Sequence, residues 1–372
     1  MPLSLPWPAL SNAAEIPSPA LLIDEARMED NLGATLGMAG SAARLRPHLK
    51  THKLPQVVQR LVHLGVSKAK VATIAEAELA ARHGIHDVLL ALQPVGPAAL
   101  RLARLGAQFR DVRWSAIFDS HEAIHAILPA LVGAGAPPLG AWIDLDLGQH
   151  RTGIPPGPLA VDLACEILRH PALAWRGLHA YDGHLGIPDL AERTRACDQA
   201  FAPVEDLARN LLDRGIAVPA IVAGGSPTFA IHARRPDVEL SPGTTVFWDA
   251  GYASKFPDLP FTPAAILLAR VVSRPTPDSI CLDLGHKAVA SEMPQPRVVF
   301  PSIPDAEPLS HSEEHLVLKT SLAPQLPPGS VVFGIPWHVC PTVALHQEAW
   351  LVRNESAVER WPIDARARRL SI

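Results

Sequence analysis

Through roughly the first 260 residues the chain alternates two textures. Short apolar runs at 44–48, 70–73, 87–91, 114–118, 141–145, 176–180, 220–223 and 237–240 have the length and composition of buried strands. Between them lie Ala/Leu-rich stretches with apolar residues at helical spacing. One is 55–64, where Val57, Val58, Leu61, Val62 and Leu64 recur; others are 75–83 and 120–132. Eight such strands, each but the last followed by a helical stretch, predict an α/β fold of the (β/α)8 TIM-barrel type. A doubly wound open sheet would use the same alternation, but no G-x-G-x-x-G follows the first strand.

After Pro263 the pattern changes to short β-branched runs separated by Pro and Gly, at 265–272, 279–284, 297–299, 315–318, 330–334 and 349–352, with 302–308 reading as a loop. The expected organisation is a barrel over 17–262 and a mostly-β domain over 263–372, joined by 1–16.

Composition adds limits. With 372 residues, 48% of them hydrophobic and 19% charged, the chain can bury a sizeable core. A net charge of -4 without long basic runs gives no electrostatic support to a nucleic-acid or anionic-membrane partner. Pro2, Pro6, Pro8, Pro17 and Pro19 break up the N-terminus, and no apolar stretch approaches a transmembrane span, so a soluble cytoplasmic protein is expected. Cys165, Cys197, Cys281 and Cys340 are scattered without a CxxC pair, which argues against a disulfide framework. Lysine occurs only at positions 50, 53, 68, 70, 255, 287 and 319, which shortens the roster of amine nucleophiles.

In a barrel the loops after the strands carry the chemistry. Lys50 falls just past the first predicted strand, in Arg46-Pro47-His48-Leu49-Lys50-Thr51-His52-Lys53. A lysine in a crowded cationic site loses proton affinity and becomes a usable nucleophile toward a carbonyl. The competing reading of the octapeptide is a solvated basic turn. Thr73 and Glu76 follow the second strand, Arg151 the fifth, and His179, Tyr181 and His184 close the sixth. Gly224-Gly225-Ser226-Pro227-Thr228 and Pro242-Gly243-Thr244-Thr245 follow the seventh and eighth, where barrels build phosphate sites. Ser226 as a simple helix cap is the alternative. A lysine after strand one combined with such a cradle implies a phosphorylated aldehyde cofactor, and pyridoxal 5'-phosphate fits that description. In the second domain, Trp337-His338-Val339-Cys340 on a strand would turn His338 and Cys340 to one side, where they could hold a divalent ion. A buried cysteine beside a capped histidine is the alternative. His311, Glu314 and His315 are candidate supporting groups.

With these residues in view, the chain resembles the D-threonine aldolase and D-serine dehydratase family of fold-type III pyridoxal phosphate enzymes. The likeness runs from Ser18-Pro19-Ala20-Leu21 to the terminal β domain. It is most specific around Lys50, in Asp283-Leu-Gly-His-Lys287-Ala-Val-Ala-Ser291, at Glu314-His315, and in Pro336-Trp-His338-Val-Cys340-Pro-Thr342. The resemblance implies that Lys50, rather than Lys53, bears the cofactor and that His48 belongs to its site. It also implies Arg151 near the phenolic oxygen and Tyr181 beside the ring, with Gly224, Gly225, Ser226, Gly243 and Thr244 on the phosphate. It makes His338 and Cys340 ligands of zinc or manganese, with magnesium as a third option, and it implies a homodimer acting on a small D-amino acid.

The reaction implied first is retro-aldol cleavage of a D-β-hydroxy-α-amino acid to glycine and an aldehyde. The alternative is β-elimination from D-serine or a related 3-hydroxy amino acid, giving a keto acid and ammonia. Two positions depart from the aldolase pattern. His-x-Cys resembles the dehydratases, since aldolases carry His-x-Asp. Gly186-Ile187 stands where aldolases tend to carry Gln-His, which leaves His184 as the candidate hydroxyl base. A non-catalytic pyridoxal phosphate carrier would resemble a barrel alone, and a racemase would need a tyrosine in the β domain. Tyr181 and Tyr252 both precede Pro263.

Overall fold

The computed structural model describes residues 10–372. They form two compact units. Leu36–Lys50, Pro55–Gly243 and Ala367–Ile372 make a barrel unit. The residues up to Thr35, together with Thr51–Leu54 and Thr244–Arg366, make a β-rich unit. In chain order the elements begin with β1 (Ala20–Asp24), α1 (Glu25–Ala39), α2 (Pro55–His63), β2 (Lys68–Val71), α3 (Ile74–Arg82), β3 (Asp87–Leu90), α4 (Pro97–Gln108) and β4 (Arg113–Phe118). Then come α5 (His121–Ala134), β5 (Leu139–Asp146), α6 (Pro158–Arg169), β6 (Leu173–Tyr181), α7 (Leu190–Asp213), β7 (Ala220–Ala223), α8 (Phe229–His232) and β8 (Val238–Leu240). The remainder is α9 (Ala250–Lys255), β9 (Ala265–Ser273), β10 (Ser279–Leu282), β11 (Val298–Val299), β12 (Glu307–His311), β13 (Leu316–Lys319), β14 (Val331–Pro336), α10 (Val339–Leu345), β15 (Glu348–Arg353) and β16 (Ser356–Pro362).

In the barrel unit β2 to β8 run parallel in sequential order. Every residue of β3 is buried, as are all but the last of β5, which is why these strands read as largely apolar runs. Helices between them present an apolar stripe inward; α2 buries Val57, Val58 and Leu61. Thr73 and Glu76 turn out to be structural. Thr73 caps α3 by accepting the Glu76 N–H at 3.2 Å, and the buried Glu76 carboxylate accepts the Ala72 N–H at 2.7 Å.

Seven strands are regular where eight are expected. The run 44–48 lies between the 3-10 turns Ala42–Arg44 and Leu49–Thr51, and Pro47 has no N–H to add to a ladder. It forms only single bridges, Leu45 to Leu240 of β8 and His48 to Lys70 of β2, and so spans the gap between the two edge strands. Arg46 anchors it. The guanidinium is fully buried and pairs with Asp87 of β3 at 2.6 Å and Glu239 of β8 at 2.7 Å.

The β-rich unit carries a nine-stranded sheet whose main path is β12-β13-β10-β9-β1-β15-β16. Here β1 differs from the expected barrel assignment: it pairs antiparallel with β9 and parallel with β15. Leu10 and Ile16 pack into the same core as Leu22, Ile266, Leu268 and Ile335. Residues 1–9 of the expected N-terminal contribution lie outside the described residues. The start of this unit's long stretch at Thr244 precedes the expected boundary at 262/263. No helix among the described residues is long and apolar enough to cross a membrane.

Candidate active site

The barrel unit holds a cavity of about 510 Å³ lined by His48, Lys50, Lys70, Asp144, Arg151, His179 and Tyr181 among others. Three cationic side chains gather around the Tyr181 ring. Lys50 Nζ lies 5.9 Å, Lys70 Nζ 5.3 Å and Arg151 Cζ 5.2 Å from the ring centroid. The ring is held by glycines. A Cβ at Gly183 would sit 1.9 Å from the Tyr181 hydroxyl, and one at Gly225 would crowd the ring at 3.3 Å. His48 Nδ1 accepts the Lys50 N–H at 3.3 Å, which fixes the turn that carries Lys50.

Lys70 is fully buried, with its Nζ 3.5 Å from His179 Nε2; His179 Nδ1 is 2.7 Å from Asp144 Oδ1. Burial, the nearby Lys50 charge and Arg46 push the Lys70 ammonium down to about 7, against the pull of Asp144 and Asp182. Burial likewise lowers His179, with Lys70 and Arg151 adding to it and Asp144 opposing. An amine close to half protonated near pH 7 thus lies beside an imidazole oriented by Asp144.

The loop after β7 is braced by Asp182. Its Oδ1 accepts the Gly225 N–H at 3.0 Å and the Thr228 hydroxyl at 2.7 Å, and its Oδ2 lies 2.8 Å from His232 Nε2. Burial opposes the charge, but these partners hold the Asp182 carboxyl below its ordinary range. Cys197, 3.3 Å from the same imidazole nitrogen, is pushed up to about 12 by burial and by the Asp182 charge, and stays a thiol. The Gly225 N–H is therefore committed to Asp182. Ser226 is buried and accepts a long 3.4 Å contact from the Gly243 N–H. His184 is exposed; a Cβ at Gly148 would lie 3.6 Å from its Nε2, and His184 is not among the cavity's lining residues.

In the β-rich unit, His338 and Cys340 are not on a strand. β14 ends at Pro336, His338 is the N-cap of α10 and Cys340 lies in its first turn. They still meet, because side chains two apart in that turn converge here: His338 and Cys340 share a hydrogen bond. Cys340 Sγ also lies 3.2 Å from Thr51 Oγ1 and 3.5 Å from Thr244 Oγ1. Burial disfavours a Cys340 thiolate, yet the His338 contact and the two hydroxyls leave the thiol below its usual value. His338 is pushed up to about 9. Burial opposes this, and the Cys340 sulfur, Glu292 at 2.5 Å from Nδ1 and the Asp249 charge outweigh it. Glu292 is the supporting carboxylate. The expected Glu314 instead joins Glu313 in holding Lys287, at 3.1 and 2.7 Å.

Comparison with known proteins decides the family. The model "Alanine racemase, N-terminal domain" matches residues 23–250 and "Putative serine dehydratase domain" matches 264–352. A D-threonine aldolase from Arthrobacter sp is 32% identical over 98% of this chain and 97% of that protein. The chain belongs to the D-threonine aldolase and D-serine dehydratase family. A 3-hydroxy-D-aspartate aldolase from Paracoccus denitrificans is 28% identical over 95% of this chain and 93% of that one. The crystal structure of D-threonine aldolase from Filomicrobium marinum superposes with a TM-score of 0.90 at 29% identity, covering 98% of this chain and all of that one.

Family membership implies pyridoxal phosphate, and the cavity fits it. An amine, an aromatic face and a cationic lining suit a planar phosphorylated aldehyde, and the volume lies within the roughly 300–1,000 Å³ of small-ligand pockets. The His338–Cys340 donor set, one imidazole and one sulfur inclined to ionise, fits a borderline-soft divalent ion such as zinc. Sequence reading missed Lys70, Asp144, Asp182 and Glu292. Lys70 carried a usable signal: a charge in the middle of a parallel strand has no solvent to face.

Proposed function

We propose that this chain is a pyridoxal phosphate- and divalent-metal-dependent lyase that cleaves D-β-hydroxy-α-amino acids to glycine and an aldehyde. The observation that carries the reading is Lys50 in one cavity with Tyr181 and Arg151, in a chain similar from end to end to a D-threonine aldolase.

In this reading Lys50 holds the cofactor through its amine, Tyr181 supports the ring, and Arg151 faces the phenolic oxygen, with His48 fixing the Lys50 turn. Ser226, Gly224, Gly243 and Thr244 serve the phosphate. Gly225 contributes close approach to Tyr181 rather than a donor, since its N–H belongs to Asp182. The cofactor, when bound, supplies an electron sink for negative charge at the substrate α-carbon. His338 and Cys340 would hold the ion, which supplies a Lewis acid suited to a hydroxyl oxygen. His184 is the proposed hydroxyl base, and its exposure leaves it open to exchange a proton with solvent. Lys70 and His179, both buried cavity-lining residues, hold a mobile proton between them, with His179 oriented by Asp144. A cytoplasmic homodimer belongs to the same proposal, and it rests on the family and on four unpaired thiols.

The His-x-Cys pair favours a second reading, β-elimination to a keto acid and ammonia. Incubating the cofactor- and metal-loaded protein with D-threonine and D-serine separates the two. Glycine and acetaldehyde are expected; 2-oxobutyrate or pyruvate with ammonia selects the dehydratase, and no product from either substrate points to another β-hydroxy amino acid or another class.

A further inference from the structure

A second cluster of ligand-type side chains lies on the outer helices of the barrel unit, away from the Lys50 cavity, and its residues do not line that cavity. His125 projects from α5, and Glu166 and His170 from the end of α6, where a spacing of four residues puts them on one face. His125 Nε2 lies 2.7 Å and His170 Nε2 2.8 Å from the same Glu166 Oε1. The two rings are 5.7 Å apart and nearly perpendicular. The three ligand atoms all fall within 4.8 Å of one another. One step along the same helices, His121 Nε2 lies 3.0 Å from Asp162 Oδ2, so the helices face each other through a ladder of imidazoles and carboxylates.

We propose that His125, Glu166 and His170 form a divalent transition-metal site, of the zinc, cobalt and nickel class, that clamps α5 to α6. Two imidazole nitrogens and a carboxylate oxygen are the N/O donor set this class prefers. Donors at about 2.0–2.1 Å from a tetrahedral ion stand roughly 3.3 Å apart, so the present separations need only small side-chain rotations. Glu166 is mostly buried, with its side chain 10% exposed, and its carboxyl is held down to about 2 by the two histidines and Arg169, so it is an anion throughout the useful pH range. His125, with 57% of its side chain exposed, leaves the fourth position open to water. Arg169 Nη1, 2.9 Å from Glu166 Oε2, competes with the ion for the carboxylate.

Zinc binding to the full-length protein, measured by equilibrium dialysis and elemental analysis, tests this independently of the lyase reading. The His125→Ala/His170→Ala variant is expected to bind one equivalent less than the unaltered chain, and Glu166→Gln, which keeps the shape, is expected to weaken that equivalent at least tenfold. In a His338→Ala/Cys340→Ala background one equivalent should persist and then vanish when His125 and His170 are also removed. Cobalt at this site should show d–d bands without a sulfur charge-transfer band. Arg169→Ala should tighten binding several-fold, an effect a purely structural hydrogen-bonded clamp does not produce. Identical zinc stoichiometry with and without His125 and His170, in protein whose circular dichroism is unchanged, overturns the proposal.

Discussion

Lys70 in the barrel unit is fully buried and His338 in the β-rich unit is partly exposed, and their proton affinities shift in opposite directions. Lys70 has Lys50 and Arg46 among its neighbours, and burial plus like charge brings it down to about 7. His338 has the Cys340 sulfur, Glu292 and Asp249 as neighbours, and these partners carry it up to about 9 against the desolvation it suffers. Burial sets the size of the stakes, and the sign of the nearest partners decides the outcome. The first arrangement favours proton exchange near neutral pH; the second favours an ion pair that a cation can displace.

The largest expected effect comes from Lys50→Ala. Loss of the nucleophile should lower kcat/KM by at least about a thousandfold. Removing its charge should also raise the proton affinity of Lys70, measurable by NMR of the labelled amine; an unchanged Lys70 titration would break the like-charge half of the comparison. Next, Glu292→Gln should weaken metal binding by roughly 10- to 100-fold, the usual cost of losing a carboxylate behind a histidine ligand, as read by chelator competition. Equal affinity in wild type and variant would remove Glu292 from the account.

The smallest effect is on stability. The folded-state Lys70 value lies below that of an unfolded lysine, so the unfolded chain binds the extra proton between about 7 and 10.5. The penalty is full below about pH 7 and is relieved as pH rises through that window. Cofactor-free protein should therefore gain up to about 1.4 kcal/mol of stability per pH unit from this residue. Lys70→Met should be more stable at pH 7 and should flatten the rise in urea unfolding curves.

What could be read from sequence follows the same physics. Strands β3, β4 and β5 were legible because burial on both faces makes them largely apolar runs. The edge strands β12 and β16 were not. Glu307–His311 and Ser356–Pro362 are largely exposed, and no apolar alternation marks them. The octapeptide around Lys50 was found as a cluster, but its division of labour was not. Arg46 is a buried structural ion pair, His48 and Lys50 line the cavity, and His52 is buried, with its Nδ1 accepting the Leu54 N–H at 3.1 Å. His338 and Cys340 were found as a pair with the wrong local geometry, because His338 is the extended N-cap of α10 and Cys340 lies in that helix rather than on a strand. Asp182 and Glu292 act through contacts 43 and 46 residues away in the chain, and no local pattern encodes those.

The central claim is that Lys50 carries the cofactor. Borohydride reduction of the pyridoxal phosphate-loaded protein, followed by proteolysis and mass spectrometry, reads this residue by residue. A phosphopyridoxyl mass on Lys50, absent from Lys50→Ala protein together with its visible absorbance, is the predicted result. The same mass on Lys53 or Lys70 of the unaltered chain, or persistent trapping in Lys50→Ala, would contradict it.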